Sequence, residues 1–213
     1  MYVVLDGIDG VGKSTHANLL EKYYNSKGID TKRIVEPTDS PVGQLLRQEL
    51  KNDDSLKDNN QQILALLFAA DRLTQKEEIL KYKHNPNNLL LSDRSFYSSI
   101  CYQNNYSITP RWLYQINQHT PRPDLLILLD LNESIAIKRC EGEEVFENMQ
   151  FLRKTRQNYL KLLRYKNTIK ISAYPNIIKV QKNIREIIDI SISNYILHTT
   201  HTHTHKNREY KQK

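Results

Sequence analysis

The residues best suited to chemistry lie near the start of the chain, in the stretch Tyr2–Thr15, YVVLDGIDGVGKST. Gly7, Gly12, Lys13 and Ser14 occupy the fixed places of the pattern G-x-x-x-x-G-K-[ST]. Glycines let the backbone curl until several N–H groups face one cavity, where an anion fits. A helix beginning there adds free N–H groups and the positive end of its dipole. Lys13 brings a mobile charge for outer phosphates, and Ser14 a hydroxyl for Mg²⁺. The whole run Gly7, Ile8, Asp9, Gly10, Val11, Gly12, Lys13, Ser14 and Thr15 is therefore a candidate phosphate cradle. The alternative is an ordinary strand–helix turn. The apolar strand before the motif and the helical pattern after it favour the cradle. Of the 6 glycines in the chain, Gly7, Gly10 and Gly12 crowd into this turn. The motif speaks for phosphate binding and leaves open what is done with the phosphate.

Two further constellations stand out. Asp93-Arg94 follows the apolar run Asn88–Ser92, so both side chains should emerge at a strand end. An arginine there can grip a second phosphate with its planar fork, while the aspartate orients it or holds water around Mg²⁺. A surface ion pair is the plainer reading. Phe68 and Arg72 are four apart on a helical pattern and share a face. A ring beside a guanidinium can stack a base and bond its edge, although a lone Phe on a helix also suits a core.

These residues need elements to hold them. The pattern predicts strands at Tyr2–Leu5, Thr31–Val35, Asn88–Ser92, Leu125–Asp130 and Thr168–Ser172. It predicts helices at Thr15–Tyr24, Val42–Leu50, Gln61–Tyr82, Ser95–Asn104, Pro110–His119, Glu133–Arg139, Phe146–Tyr165 and Asn176–Ile196. Leu45, Leu46 and Leu50 are expected inward, as are Ile63, Leu66, Leu67, Ala70, Leu73 and Leu80 on the long helix. Strands alternating with helices imply an α/β fold with a five-stranded parallel sheet. Ligands then sit at the carboxyl ends of the strands, where Asp6, Asp9, Glu36, Asp93, Arg94 and Asp130 collect. Residues 1–197 form one expected domain, with a short polar segment near 140–145. Residues 198–213, HTTHTHTHKNREYKQK, read as a low-complexity disordered tail, metal binding being the second reading.

The 213 residues suffice for one α/β domain with a substantial core. No apolar run approaches the ~18 residues of a membrane span. Tyr2–Leu5 is too short for a signal core and lacks a basic flank, so a cytoplasmic home is expected, with no membrane partner. The 2 cysteines, Cys101 and Cys140, show no metal-type spacing and fit a reducing compartment. The net charge is +7, of which the tail supplies +3. A mildly basic body suits an anionic small molecule and argues poorly for nucleic acid.

Taken together, LDGIDGVGKST, IVEPT, LLFAADR, LLLSDRSFYSSICYQ and PDLLILLDLN resemble the thymidylate kinase family, in the family's order, from Tyr2 to about Ile196. The resemblance implies a P-loop, three-layer fold. It implies transfer of the γ-phosphoryl of ATP to dTMP with Mg²⁺, in a cytoplasmic homodimer. By position, it implies that Asp9 meets the deoxyribose 3′-hydroxyl or the phosphates and that Arg94 clamps the dTMP phosphate. It implies that Phe68 stacks on thymine and Arg72 reaches a carbonyl edge. Ser99 and Gln103 would contact the base, and Tyr102 would stand where a ribose 2′-hydroxyl would go. Glu36 and Pro37 would border the acceptor, with Arg47 assisting, and Ser14 and Asp93 would serve the metal. The sequence departs from the family in places. Val35 precedes Glu36-Pro37 where members often carry arginine, and Gly10 stands where some place an arginine. The 140–145 segment is acidic, leaving Lys138 and Arg139 as edge cations; Arg139 is the candidate catalytic one, with a solvated helix charge as the alternative.

Other classes fit less well. An Asn-Lys-x-Asp guanine-reading motif is absent, which counts against a GTP switch protein. Only the basic balance speaks for a nucleic-acid-binding ATPase. Another nucleotide or nucleoside kinase is the nearest rival, and Arg94 separates acceptors that carry a phosphate from those that do not.

Overall fold

A computed structural model describes residues 1–52, 57–85, 87–104, 108–139 and 149–209, with side chains as far as Tyr195. Its strands are β1 (Tyr2–Asp6), β2 (Asp30–Val35), β3 (Asn88–Asp93), β4 (Leu125–Asp130) and β5 (Thr168–Ser172). They form one parallel sheet in the order β2-β3-β1-β4-β5. In β1 every residue is buried, and in β4 all but Asp130. Such unbroken apolar runs are what a strand covered on both faces requires. Tyr2 registers with Leu90 on one side, and Val3 with Leu125 on the other. The chain leaves β1 and returns to either side of it, so a crevice opens at its carboxyl end.

The helices are α1 (Lys13–Ser26), α2 (Pro41–Leu50), α3 (Asp58–Thr74), α4 (Lys76–Lys83), α5 (Phe96–Tyr102), α6 (Pro110–Ile116), α7 (Glu133–Ile137), α8 (Met149–Leu160) and α9 (Ile177–Glu209). A 3₁₀ turn, Lys161–Arg164, follows α8. The predicted helix at Gln61–Tyr82 is in fact two, α3 and α4, with a turn at Gln75 between them. Four helices are shorter than predicted at their carboxyl ends, namely α5, α6, α7 and α8, the last giving way to the 3₁₀ turn. The predicted 140–145 segment and the start of the predicted Phe146–Tyr165 helix lie outside the described residues. The last helix runs on past Ile196 to Glu209, into the stretch read as a tail.

The inward face of α3 also differs. Its buried residues are Gln61, Leu64, Ala65, Ala69, Asp71 and Arg72. Ile63, Leu66 and Leu73 are instead 44, 51 and 40% exposed. On the adjoining α2, Leu46 is buried while Leu45 is 44% exposed. The reason is chemical. The inner face of α3, which meets α5 and α6, carries charged groups with partners inside the protein, so the more hydrophobic face is not the one turned inward.

Candidate functional site

The phosphate loop forms where β1 ends. Gly7 has φ 145°, and a Cβ there would lie 2.5 Å from the Leu129 carbonyl oxygen. Gly10 has φ 78°, and its Cβ would come 2.1 Å from the Ala136 oxygen. Only glycine meets both demands. The absence of an arginine at position 10 therefore has a local cause, since α7 presses against the loop. Lys13 is buried, and its Nζ donates to the carbonyls of Gly7 at 3.0 Å and Ile8 at 2.8 Å. Burial pulls its pKa down and Arg94 adds to that, while Asp9 opposes. Ser14 and Thr15 are exposed at the first turn of α1, and the Ser14 hydroxyl donates to Asp93 Oδ2. The two residues expected to serve a metal are thus in contact.

Asp9 is the meeting point of the loop and β3. Its carboxylate accepts from Arg94 Nη2 and, at 2.8 Å, from the Tyr102 hydroxyl, with Lys13 Nζ 3.6 Å away. Burial alone would push Asp9 up; Arg94, Lys13 and the Tyr102 hydroxyl outweigh it and hold the carboxyl well below the usual range. Arg94 is also the one non-glycine residue with positive φ, 77°, among the described residues. Its backbone N–H donates to Leu5 at 3.1 Å, which fixes the turn that carries the side chain. Backbone held in this region is strained, and such strain concentrates at functional sites. The guanidinium lies 5.3 Å from the Tyr102 ring centroid.

The second half of the crevice is built around Arg72. Its Nε donates to Glu36 Oε2 at 2.8 Å, Nη1 to Ser99 and Asn117 at 3.0 Å each, and Nη2 to the Ser95 carbonyl at 3.1 Å, while the ion pair with Glu36 brings Nη2 to 2.7 Å from the same Oε2. Four hydrogen bonds and the ion pair with Glu36 thereby occupy the guanidinium. Burial raises the Glu36 pKa, and Arg72 only partly counters it. The guanidinium lies 5.3 Å from the Phe68 centroid, so the expected Phe68–Arg72 pair does share a face. Gln103 Nε2 reaches the Gln61 carbonyl at 3.4 Å, and its buried Oε1 has no partner. Arg47 does not extend into open space. Its fork donates to the carbonyls of Thr38 at 2.7 Å and Pro37 at 2.6 Å, pinning the loop after β2.

Arg139 is the outlier among the expected residues. Its Nη1 donates to the Ala173 carbonyl at 3.2 Å, and no contact among the described residues joins it to Lys13, Asp9 or Arg94. It lies on the side of His16, whose ring takes its place beside Gln181. Burial, and then the charge of Arg139, draw the His16 pKa down to about 4. Asp130, expected at the ligand edge, is turned to Arg156 on α8, at 2.7 and 3.2 Å.

Sequence reasoning missed Asn117, Asp71 and Tyr159. Asp71 accepts from the Thr38 N–H at 2.8 Å and the Ser40 hydroxyl at 2.7 Å, and so anchors the loop from inside α3. A carboxylate within an otherwise apolar helical run was the available signal, since such a group needs a partner if buried. Asn117 and Tyr159 sit in ordinary helical patterns and carried no signal.

A family model for thymidylate kinase matches residues 5–184. A protein of Methanosphaera stadtmanae described as a probable thymidylate kinase is 55% identical over 189 residues, covering 88% of this chain and 97% of its own. A Methanobrevibacter smithii protein of the same description is 41% identical, covering 88% and 94%. The solved thymidylate kinase of Candida albicans superposes with a TM-score of 0.72 at 26% identity, covering 91% of this chain and 92% of its own.

Proposed function

The chain belongs to the thymidylate kinase family, and we propose that its phosphate loop and Arg94 together carry the family's reaction. It is an enzyme that moves the γ-phosphoryl of ATP onto dTMP. The observation that best supports the assignment of residues is Asp9, which draws Lys13 from the donor loop and Arg94 from the turn after β3 to one carboxylate.

The acceptor is a phosphate monoester with a second pKa near ~6, so near neutral pH it is mostly dianionic and needs no general base. The task is to bring two anions together and balance charge as the phosphoryl moves. Lys13 would exchange its carbonyl partners for the outer phosphates of ATP. Arg94 would exchange Asp9 for the dTMP phosphate, gripping it with its fork. Phe68 would stack the base, and Ser99 and Gln103 would bond its edge. Tyr102 would exclude a 2′-hydroxyl. Arg72, with its donors engaged, would read the base only by sharing an N–H or releasing Asn117 or Ser99. Glu36, Pro37 and Arg47 shape the acceptor loop. Arg139 is assigned to the donor side. The touching hydroxyl and carboxylate of Ser14 and Asp93 are hard oxygen ligands suited to Mg²⁺. When bound, Mg²⁺ would supply charge compensation to the phosphate oxygens.

We assign the exposed apolar side chains Leu45, Ile63, Leu66 and Leu73 on α2 and α3 to a homodimer face. Leu66→Glu should then shift the protein to a monomer in sedimentation, and an unchanged profile would reject the face. A cytoplasmic location rests on the free, buried Cys101, which suits a reducing compartment. The activity is tested by a panel of nucleoside monophosphates with ATP and Mg²⁺, scored for diphosphate products. We expect dTMP best, dUMP weaker, and dCMP, dGMP and the ribose form of TMP poor. Equal use of dCMP and dTMP would overturn the base assignment.

A further inference from the structure

Asp6, the last residue of β1, is fully buried. No ion pair reaches it among the described residues. Its carboxylate is surrounded instead by neutral donors from three directions. The Gly7 N–H, which opens the phosphate loop, donates at 3.0 Å. From the start of α5, the Ser98 hydroxyl lies 2.8 and 3.0 Å from the two oxygens and the Ser95 hydroxyl 3.3 Å from one. From α8, the Tyr159 hydroxyl donates to the oxygen that also accepts from Gly7. The same hydroxyl is 3.2 Å from Ser98 Oγ.

Burial pushes the Asp6 pKa up, opposed by the Tyr159 hydroxyl and by the more distant charges of Arg94 and Lys13, and the carboxyl is kept in place by its hydrogen bonds. Here they join the two halves of the crevice. The loop that carries Lys13 and Ser14 leaves from Asp6, and α5 carries Ser99 and Tyr102. Helix α8 braces α5 twice more. Asn158 Nδ2 donates to the Cys101 carbonyl at 3.1 Å, and the Tyr159 ring meets that of Tyr102 edge-on at 6.1 Å. The two carboxyl oxygens together meet all of these donors, whereas an amide would turn an NH2 group against them.

We propose that Asp6 and Tyr159 are positioning residues that fix the spacing between the phosphate loop and α5, and with it the distance between donor and acceptor phosphates. The inference rests on the phosphoryl-transfer reading above. Neither residue touches a substrate under that reading, so their loss should act on the alignment of two bound ligands and not on either alone. Misplacement by ~1 Å can cost about 10²-fold in rate.

The test uses Tyr159→Phe, which keeps the ring against Tyr102, alongside Asp6→Asn and Ser98→Ala. Each is measured for kcat, for KM of ATP and of dTMP, and for binding of a probe in which adenosine and thymidine are joined through an oligophosphate chain. For Tyr159→Phe we expect kcat about tenfold or more lower with both KM values within about threefold. The linked probe should bind about tenfold more weakly, while ATP alone and dTMP alone bind as in the wild type. A folded Tyr159→Phe with wild-type kcat and wild-type affinity for the probe would overturn the proposal. So would equal weakening of the probe and both separate ligands, which marks general loosening. If Asp6→Asn fails to fold, the Tyr159 and Ser98 variants still decide the matter. Failure of the wild-type enzyme to bind the probe would instead strike the functional reading, and this inference with it.

Discussion

The two halves of the crevice keep their cations in opposite ways. Lys13 and Arg94 hold partners that a ligand can replace: two loop carbonyls and the shared carboxylate of Asp9. Arg72 is sealed, its fork divided among Glu36, Ser99, Asn117 and the Ser95 carbonyl, at 2% exposure. Phosphates bring strong charge, which repays the breaking of an ion pair at a half-open site. A base brings only neutral donors and acceptors, so the framework around it must already be rigid. The charged half is therefore poised for exchange, and the other half is preassembled.

That contrast can be broken first at Arg72. Arg72→Ala should act mainly on folding, because it leaves Glu36 buried and unpaired. Removing one partner of a buried ion pair typically costs about 3–5 kcal/mol. Denaturant unfolding reads the loss, and a variant as stable as the wild type would show that the sealed half is not structural. The complementary prediction is Lys13→Ala. It should leave the unfolding midpoint nearly in place while lowering turnover about 10²–10³-fold. Near-normal steady-state turnover in the folded variant would remove Lys13 from the reaction.

Arg94→Ala sharpens the comparison within the charged half. Loss of a charge-assisted contact is worth about 10–10²-fold, and it should fall on dTMP while titrated ATP affinity changes little. Lysine should rescue only in part, lacking the fork. Equal losses for both substrates would count against the clamp. The smallest expected effect is at the other end of the chain. Residues 198–213 hold few apolar side chains, so deleting them should leave turnover and melting temperature almost unchanged. A large change in either would mean that the carboxyl end of α9 is part of the working protein.

Much of the charged half is legible in the sequence, because glycine spacing and a lysine–serine pair are short-range features tied to one strand and one helix. The strands were legible for a similar reason: continuous apolar runs such as Leu125–Asp130 have few alternative uses. The sealed half was harder. Arg72 and Asp71 point inward from α3, so the helix hides its polar side and shows Ile63, Leu66 and Leu73 outside. A pattern scored by hydrophobicity selects the opposite face. The turn at Gln75 carries no glycine or proline, and there the Thr74 hydroxyl bonds back to the Asp71 carbonyl at 2.7 Å. Asn117 reaches Arg72 from the residue just past the end of α6, a relation that no local spacing can encode.

The position of β1 in the sheet has a consequence for how the molecule comes into being. This apolar strand is synthesised before both of its neighbours, and its register partners begin at Leu90 and Leu125, far along the chain. The centre of the sheet cannot close until β4 has emerged. Such non-local pairing slows folding and leaves an unpaired apolar edge exposed during the wait. A newly made chain interrupted before residue 125 would carry the phosphate-loop sequence but only one side of the sheet that aims it, and would be prone to aggregate.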